Sequence, residues 1–380
     1  MQHQVEGERG TLVVTAGGNW QRVRQHVQRL LLSKLLWLGA ALVALLPLPG
    51  RGADARERLV PVVDLHVDLS YQHNYKAAPF AGGTSQFPAQ KLLRAGVVGV
   101  VLPLFVPWKV SPRGPRLRDF EASYRRVLDA VRVTRPFQEP SCLATPGSVR
   151  TFLAFEGAGA FAEQPELLDT WSQRGVRSLG LVHTRHNELA SSSTDREPMS
   201  EGLTAAGRDV VRHAQRLGIP IDVSHASDQA TREVLTLAGA AGAPVIATHS
   251  NARAVLKHPR NLADAEIRSI AASGGVIGVN FHSPFLTGSR AASVNDVVRH
   301  IRHLVNTAGI DHVALGSDFD GDIVPPRGLE SVASLPVLAK ALLVAGISQD
   351  GVERIFSRNA LRILCPAAPG ATSSRTQSGL

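Results

Sequence analysis

Leu59-Val-Pro-Val-Val-Asp-Leu-His66-Val67-Asp68 opens the part of the chain that decides the fold. Leu59 to Val63 is an apolar run of the kind that forms a buried strand, and it stops at side chains able to bind metal. Residues two apart in a strand point the same way, so His66 and Asp68 would share one face at the mouth of a sheet. An imidazole and a carboxylate so placed suit a metal ion, but a strand-end His-x-Asp equally suits a plain hydrogen bond. The other strands decide between these readings.

Short β-branched runs of the same kind recur along the chain: VVGVVLPLF from Val97, TFLAFEG from Thr151, VRSLGLVH from Val176, IPIDVSH from Ile219, APVIATHS from Ala243, GVIGVNF from Gly275 and HVALGSDFDG from His312. Amphipathic stretches such as Thr204 to Leu217, Asp228 to Ala240, Asp264 to Ser273 and Val294 to Ala308 separate them. Strand and helix alternating eight times over about 300 residues predict an α/β fold of the (β/α)8 TIM-barrel type. The strands are apolar nearly throughout, as when both faces are buried. An open doubly wound sheet is the alternative, weakened because no Gly-x-Gly-x-x-Gly follows the first strand.

The metal-type residues fall at the strand ends. His66 and Asp68 follow the first strand, Glu156 closes the third, His183 the fourth, His225 the fifth, His249 the sixth and Asp318 the eighth. In a closed parallel barrel these ends converge on the rim that carries the chemistry. Chance accounts for one or two such placements, not for seven. His300 and His303, at i, i+3 on a helix, are expected on a solvated face instead.

Composition bounds the rest. The 380 residues are 44% hydrophobic and carry a net charge of +9, Arg-rich and dispersed. Aromatic residues are 5% and no basic run contains them, which excludes a nucleic-acid-binding surface. Arg22, Arg24, Arg29 and Lys34 precede an apolar stretch, Leu35 to Leu46, and then Ala53-Asp54-Ala55. A basic region, a short apolar core and an Ala-x-Ala site are the parts of a secretory signal, and the core is too short for a comfortable membrane span. Residues 1–55 are therefore expected to direct export, either cleaved or retained as an anchor attaching the chain to a membrane. The product would be periplasmic, secreted or membrane-anchored. A barrel over 56–365 and a disordered tail over 366–380 complete the expected organisation. Cys142 and Cys365 would form one disulfide in an oxidising compartment or remain free, and neither belongs to a CxxC.

In combination, DLHVD, FEGAGAF, GLTAAGRDVV, LGIPIDVSHAS, VIATHSNARAV, HPRNLAD, GSDFDG and IFSRNALRIL give a chain that, from about Val60 to Leu364, closely resembles the membrane (renal) dipeptidase family of zinc peptidases. The resemblance implies two zinc ions per chain: His66 and Asp68 on the first, His225 and His249 on the second, Glu156 bridging both. It implies attack on a dipeptide's peptide bond by metal-bound hydroxide. His183 would steady the oxyanion, its competing role being a core histidine bonded to a carbonyl. Asp318 would act as general base and then acid, with Asp320 as its nearest rival. Arg260 would grip the substrate's free carboxylate, against the usual fate of a surface salt bridge. A clamp so close to the metals leaves room for one residue beyond the scissile bond. Substrates with a C-terminal D-residue and pairing as homodimers are further implications of the family.

Three stretches depart from the family's pattern. The second strand lacks a Gly-Ala-Gln-Phe-type sequence, Ala190 and Ser191 stand where an aspartate is common, and His282 and Phe285 stand where tyrosines are common. All three concern specificity. Two other functions compete: a binuclear-metal hydrolase of other amides or lactones, such as N-acyl amino acids or β-lactam-like substrates, and a catalytically silent metal-containing binding protein. Arg260 argues against the first and Asp318 against the second.

Overall fold

The computed structural model describes residues 59–366 other than 112, 113, 198 and 200, so the expected export segment and nearly all of the expected tail lie outside the described residues. Eight parallel strands form the core: β1 (Val62–Asp64), β2 (Val97–Phe105), β3 (Val149–Glu156), β4 (Val176–Gly180), β5 (Ile221–Asp222), β6 (Val245–Ile246), β7 (Ile277–Val279) and β8 (Val313–Leu315). They pair in chain order, and β8 pairs back onto β1 through Asp64 and Leu315. A parallel bridge between Ala247 and Ile277 joins β6 to β7 and closes the ring. The barrel expected from the strand-helix alternation is thus present, each of the eight apolar runs supplying one strand.

Alternation along the strands divides the core. Val63, Leu65, Val101, Phe152, Ala154, Ile246, Val276 and Ala314 form one buried cluster, while Val62, Val100, Leu102, Leu153 and Phe155 join the larger cluster beneath the helices. The crowding has a cost in permitted residues: a Cβ on Gly316 would sit 1.7 Å from the Thr248 carbonyl oxygen. Only glycine lets the end of β8 pass there.

Helices at Ala205–Arg216, Asp228–Ala241, Asp264–Ala272 and Val294–Ala308 match the amphipathic stretches in the sequence. The expectation for His300 fails. It is fully buried, with Nδ1 accepting the Ala252 N–H at 3.2 Å and Nε2 donating to the Leu286 carbonyl at 3.1 Å. Both ring nitrogens are satisfied, which is what lets a histidine sit under the helix layer. His303 is half-buried and bonds to Asp264 at 2.7 Å.

The far end of the barrel is covered by the helix Asn359–Leu364. Asn359 Nδ2 donates to the carbonyls of Ile310 and Val313, each at 2.8 Å, next to the start of β8. Ala360, Ile363 and Leu364 pack into the inner cluster. A disulfide between Cys142 and Cys365, with Cα atoms 5.6 Å apart, ties this helix to the segment leading into β3. Reducing it, or replacing both cysteines with alanine, should lower unfolding free energy by about 2–5 kcal/mol. Thermal unfolding with and without reductant checks this, and identical midpoints would contradict it.

Candidate metal centre and active site

The rim is assembled by backbone pairing that continues past the strand ends. The Asp318 N–H donates to the His66 carbonyl at 3.0 Å, and the Asp68 N–H donates to the Phe319 carbonyl at 2.8 Å. This carries His66 and Asp68 alongside Asp318. The turn that follows is strained: Asp318, Asp320 and Asp322 all lie in the left-handed region, with φ of 64°, 66° and 57°. Aspartate tolerates that region better than most residues, and such strain concentrates at functional sites. Gly321 completes the turn, since a Cβ there would stand 2.6 Å from Asp68 Oδ2.

Asp222, at the end of β5, performs the equivalent task across the ring. Its Oδ1 accepts the N–H groups of Ser224 at 3.0 Å and Thr248 at 2.9 Å, locking the β5 and β6 ends together. The Thr248 hydroxyl donates its single proton to Asp222 Oδ2, so its oxygen accepts from His249 Nδ1 at 2.8 Å. This assigns the His249 tautomer and leaves the Nε2 lone pair facing the rim.

At the centre is the buried Glu156. Its Oε1 lies 3.1 Å from His225 Nε2, 3.7 Å from His66 Nε2, 3.8 Å from His249 Nε2 and 3.9 Å from His183 Nε2. His66 Nε2 is 3.5 Å from Asp68 Oδ2, and the Nε2 atoms of His225 and His249 are 2.9 Å apart. Three overlapping groups have all their ligand atoms within 4.8 Å of one another: His66–Glu156–His249, Glu156–His183–His225 and His66–Asp68–Asp318. All seven strand-end residues picked out in the sequence are therefore in one cluster. The grouping is continuous around Glu156 rather than two separate shells.

These residues fit a divalent metal. His66 Nε2 is buried with no hydrogen-bond partner. His225 Nε2, His249 Nε2 and Glu156 Oε1 converge within 3.8 Å of one another, an arrangement that one cation could share. Burial, followed by the charge of cationic neighbours, holds His225 and His249 far below the usual histidine pKa, which keeps them neutral as ligands must be. Burial lifts the Glu156 carboxyl, His66 pulls against this, and the charges of Asp68 and Asp318 add to it. Imidazole and carboxylate donors suit zinc, and also manganese.

The sequence of the membrane dipeptidase family (peptidase family M19) matches residues 53–378. The chain belongs to this family. An uncharacterized protein from the pqqA 5′ region of Klebsiella pneumoniae is 42% identical over 217 residues, 55% of this chain and 79% of that protein. Dipeptidase tcpJ of Claviceps purpurea is 35% identical over 245 residues, 64% of this chain and 55% of its own length. The chain thus spans about half the length of the fungal relatives it matches. A metallo peptidase from Rhodobacter sphaeroides, solved with a phosphinate mimic of the dipeptide L-Ala-D-Ala, superposes with a TM-score of 0.71 at 29% identity, covering 80% of this chain and 99% of that one.

Within this dipeptidase rim, Asp318 and Asp320 part company. Asp320 turns away and accepts from Ser85 Oγ at 2.6 Å and the Gln86 N–H at 2.8 Å. Asp318 faces the cluster, its Oδ2 accepting from Asn280 Nδ2 at 2.9 Å. Arg260 is 4% exposed and reaches the rim itself, Nη2 lying 3.3 Å from His225 Nε2 and 3.4 Å from the His249 carbonyl. It has no carboxylate partner among the described residues, and its Nη1 is buried without any partner. Burial lowers its pKa to about 10, which leaves it charged at neutral pH.

Three contributors escaped the sequence reading. Asp222 was signalled only by its place two residues before Ser224 in IPIDVSH. Asn280 is the polar residue that follows β7, one of the two strands, with β2, whose ends carry no metal-type residue in the sequence. Phe105 ends β2 and packs its ring 4.4 Å from that of His183.

Burial alone would depress His66, but the carboxylates of Glu156 and Asp68 overcome it and push its pKa up to about 10. The metal-free cluster therefore holds a proton near pH 7 that an incoming cation must expel. Calorimetric titration of zinc into metal-stripped protein, in buffers of different ionisation enthalpy, should show net proton release and tighter binding as pH rises. Binding without proton release would contradict this.

Proposed function

We propose that this dipeptidase-family chain is an exported enzyme that hydrolyses unblocked dipeptides, including those with a C-terminal D-residue, with two zinc ions held by His66, Asp68, Glu156, His225 and His249. The observation that carries the reading is Arg260: a buried guanidinium without a carboxylate partner, placed at the edge of a metal-ligand cluster. Such a group is costly unless a ligand supplies the anion, and its planar fork suits a carboxylate. A substrate with its terminal carboxylate on Arg260 brings the preceding peptide bond over Glu156. The phosphinate mimic bound by the Rhodobacter relative supports tolerance of a D-residue.

When bound, the metal ions would make a water molecule acidic enough to ionise near neutral pH and would polarise the scissile carbonyl. The chain's own residues do the rest. Burial, then the Asp68 charge, raises the Asp318 carboxyl above its usual range, which suits a group that must accept a proton and return it. Asn280 holds Oδ2 of that carboxylate, leaving Oδ1 to take the proton. Burial and the charges of Arg260 and His66 lower His183 to about 3, so it stays neutral and offers an N–H to developing negative charge. The leaving amine then collects its proton from Asp318.

The Cys142–Cys365 disulfide supports export, because such bonds persist in oxidising compartments. Residues 1–55 would supply the export signal or anchor.

Asp318→Asn should retain the metal content of the wild type while lowering kcat by about 10²–10⁴-fold, checked by elemental analysis beside dipeptide hydrolysis. Arg260→Ala should raise KM for free dipeptides, and amidating the substrate's C-terminus should do the same to wild type. Wild-type rates that ignore amidation would point to a hydrolase of other amides, and metal content without turnover to a binding protein.

A further inference from the structure

The cavity above the metal cluster has a volume of about 860 Å³. That lies in the upper part of the range typical for drug-sized ligands, about 300–1,000 Å³. Two small residues would leave much of it unused. The composition of its outer part indicates what else fills it.

The position of Arg260 sets the direction of the substrate. Arg260 follows β6, and its guanidinium lies 5.6 Å from the ring centre of Phe285, which follows β7. In the closed ring β6 and β7 stand across the mouth from β2 and β3, and β4 lies next to β3. A dipeptide anchored by its carboxylate on Arg260 and crossing Glu156 at the end of β3 therefore extends its N-terminal residue toward the loops after β2 and β4. Those loops present Trp108, Lys109 and Arg185 to the cavity.

Arg185 is exposed yet positioned, its guanidinium resting 5.2 Å from the centre of the Trp108 ring. Lys109, which follows Trp108 in the chain, is exposed and lines the same cavity. Among the described residues neither cation has an ion-pair partner, in contrast to Lys76 on the same cavity wall, which is paired with Asp322 at 3.0 Å. Asp322, the acid at this outer rim, is also engaged by Gln72 Nε2 at 3.3 Å and by the Tyr71 hydroxyl at 3.2 Å. The outer cavity thus offers two uncompensated cations next to an indole face.

Resting on the dipeptidase reading above, we infer that this outer cavity is a specificity subsite for an acidic N-terminal side chain. The substrate class is dipeptides beginning with glutamate or aspartate. The side-chain methylenes lie along Trp108, and the carboxylate lies between Arg185 and Lys109. Arg185 and Lys109 act on binding and steering, not on the bond-breaking step, and their effect is screened by salt.

The test uses the full-length, metal-loaded protein with Glu-Ala, its near-isosteric amide Gln-Ala, and Lys-Ala. The expected kcat/KM ratio of Glu-Ala to Gln-Ala is about fivefold or more, carried mainly by KM, as one or two exposed charge pairs supply. Lys-Ala should be the poorest of the three. The ratio should shrink in high salt, fall to near one in the Arg185→Ala, Lys109→Ala double variant, and drop below one in Arg185→Glu. Because the ratio is taken within each protein, a general loss of activity in a variant does not disturb it. Turnover of Glu-Ala and Gln-Ala at equal rates by wild type would overturn the inference and leave the dipeptidase reading standing. An unchanged ratio in both variants would do the same. No turnover of any free dipeptide would instead overturn the dipeptidase reading, and the inference with it.

Discussion

The buried carboxylate of Glu156 is the constraint around which the rest of the site is arranged. Placed at the end of β3, it draws His66, His183, His225 and His249 from four other strand ends to within 4 Å of one oxygen atom. No apolar core would tolerate such a collection without compensation. The protein meets the cost in two ways: it brings the ligand atoms close enough that they could share a cation, and it fixes the strand ends that carry them through neighbours that are themselves engaged. Asp222 does this for the β5 and β6 ends, and the continued pairing of the β1 and β8 extensions does it for the other side.

The strength of the scaffold follows from the same arrangement. A closed parallel ring turns eight short strands, some only two residues long, into one rigid rim. Short strands suffice because the pairing does not end where the strands do, and because helices bury their outer faces. The left-handed turn through Asp318, Asp320 and Asp322 is a strained stretch at the rim. Asp320 anchors it to Ser85 and Gln86, so the strain is held by a residue that takes no part in the cluster.

Much of this was legible in the sequence because two periodic signals coincide there. Apolar runs gave the strands, and a metal-type residue at the end of six of them gave the rim. Asp222 and Asn280 were not legible, because an acid or amide at a strand end looks the same whether it binds a ligand or fixes its neighbour. His300 was misplaced for a related reason. Spacing along a helix says nothing about the carbonyl and N–H that wait on the other side, and those two partners are what allow it to be buried. Arg260 shows the opposite case: spacing could not distinguish a surface arginine from a buried one, and its solitary burial is what carries its interpretation.

The disulfide has a consequence for the order of events in the life of the chain. Its two cysteines are separated by 223 residues, and Cys365 follows the last strand and the covering helix. A chain emerging from its N-terminus carries all eight strands before the second thiol is available. The bond can therefore form only once every strand is present, and it holds the final helix against the floor of the barrel opposite the metal rim.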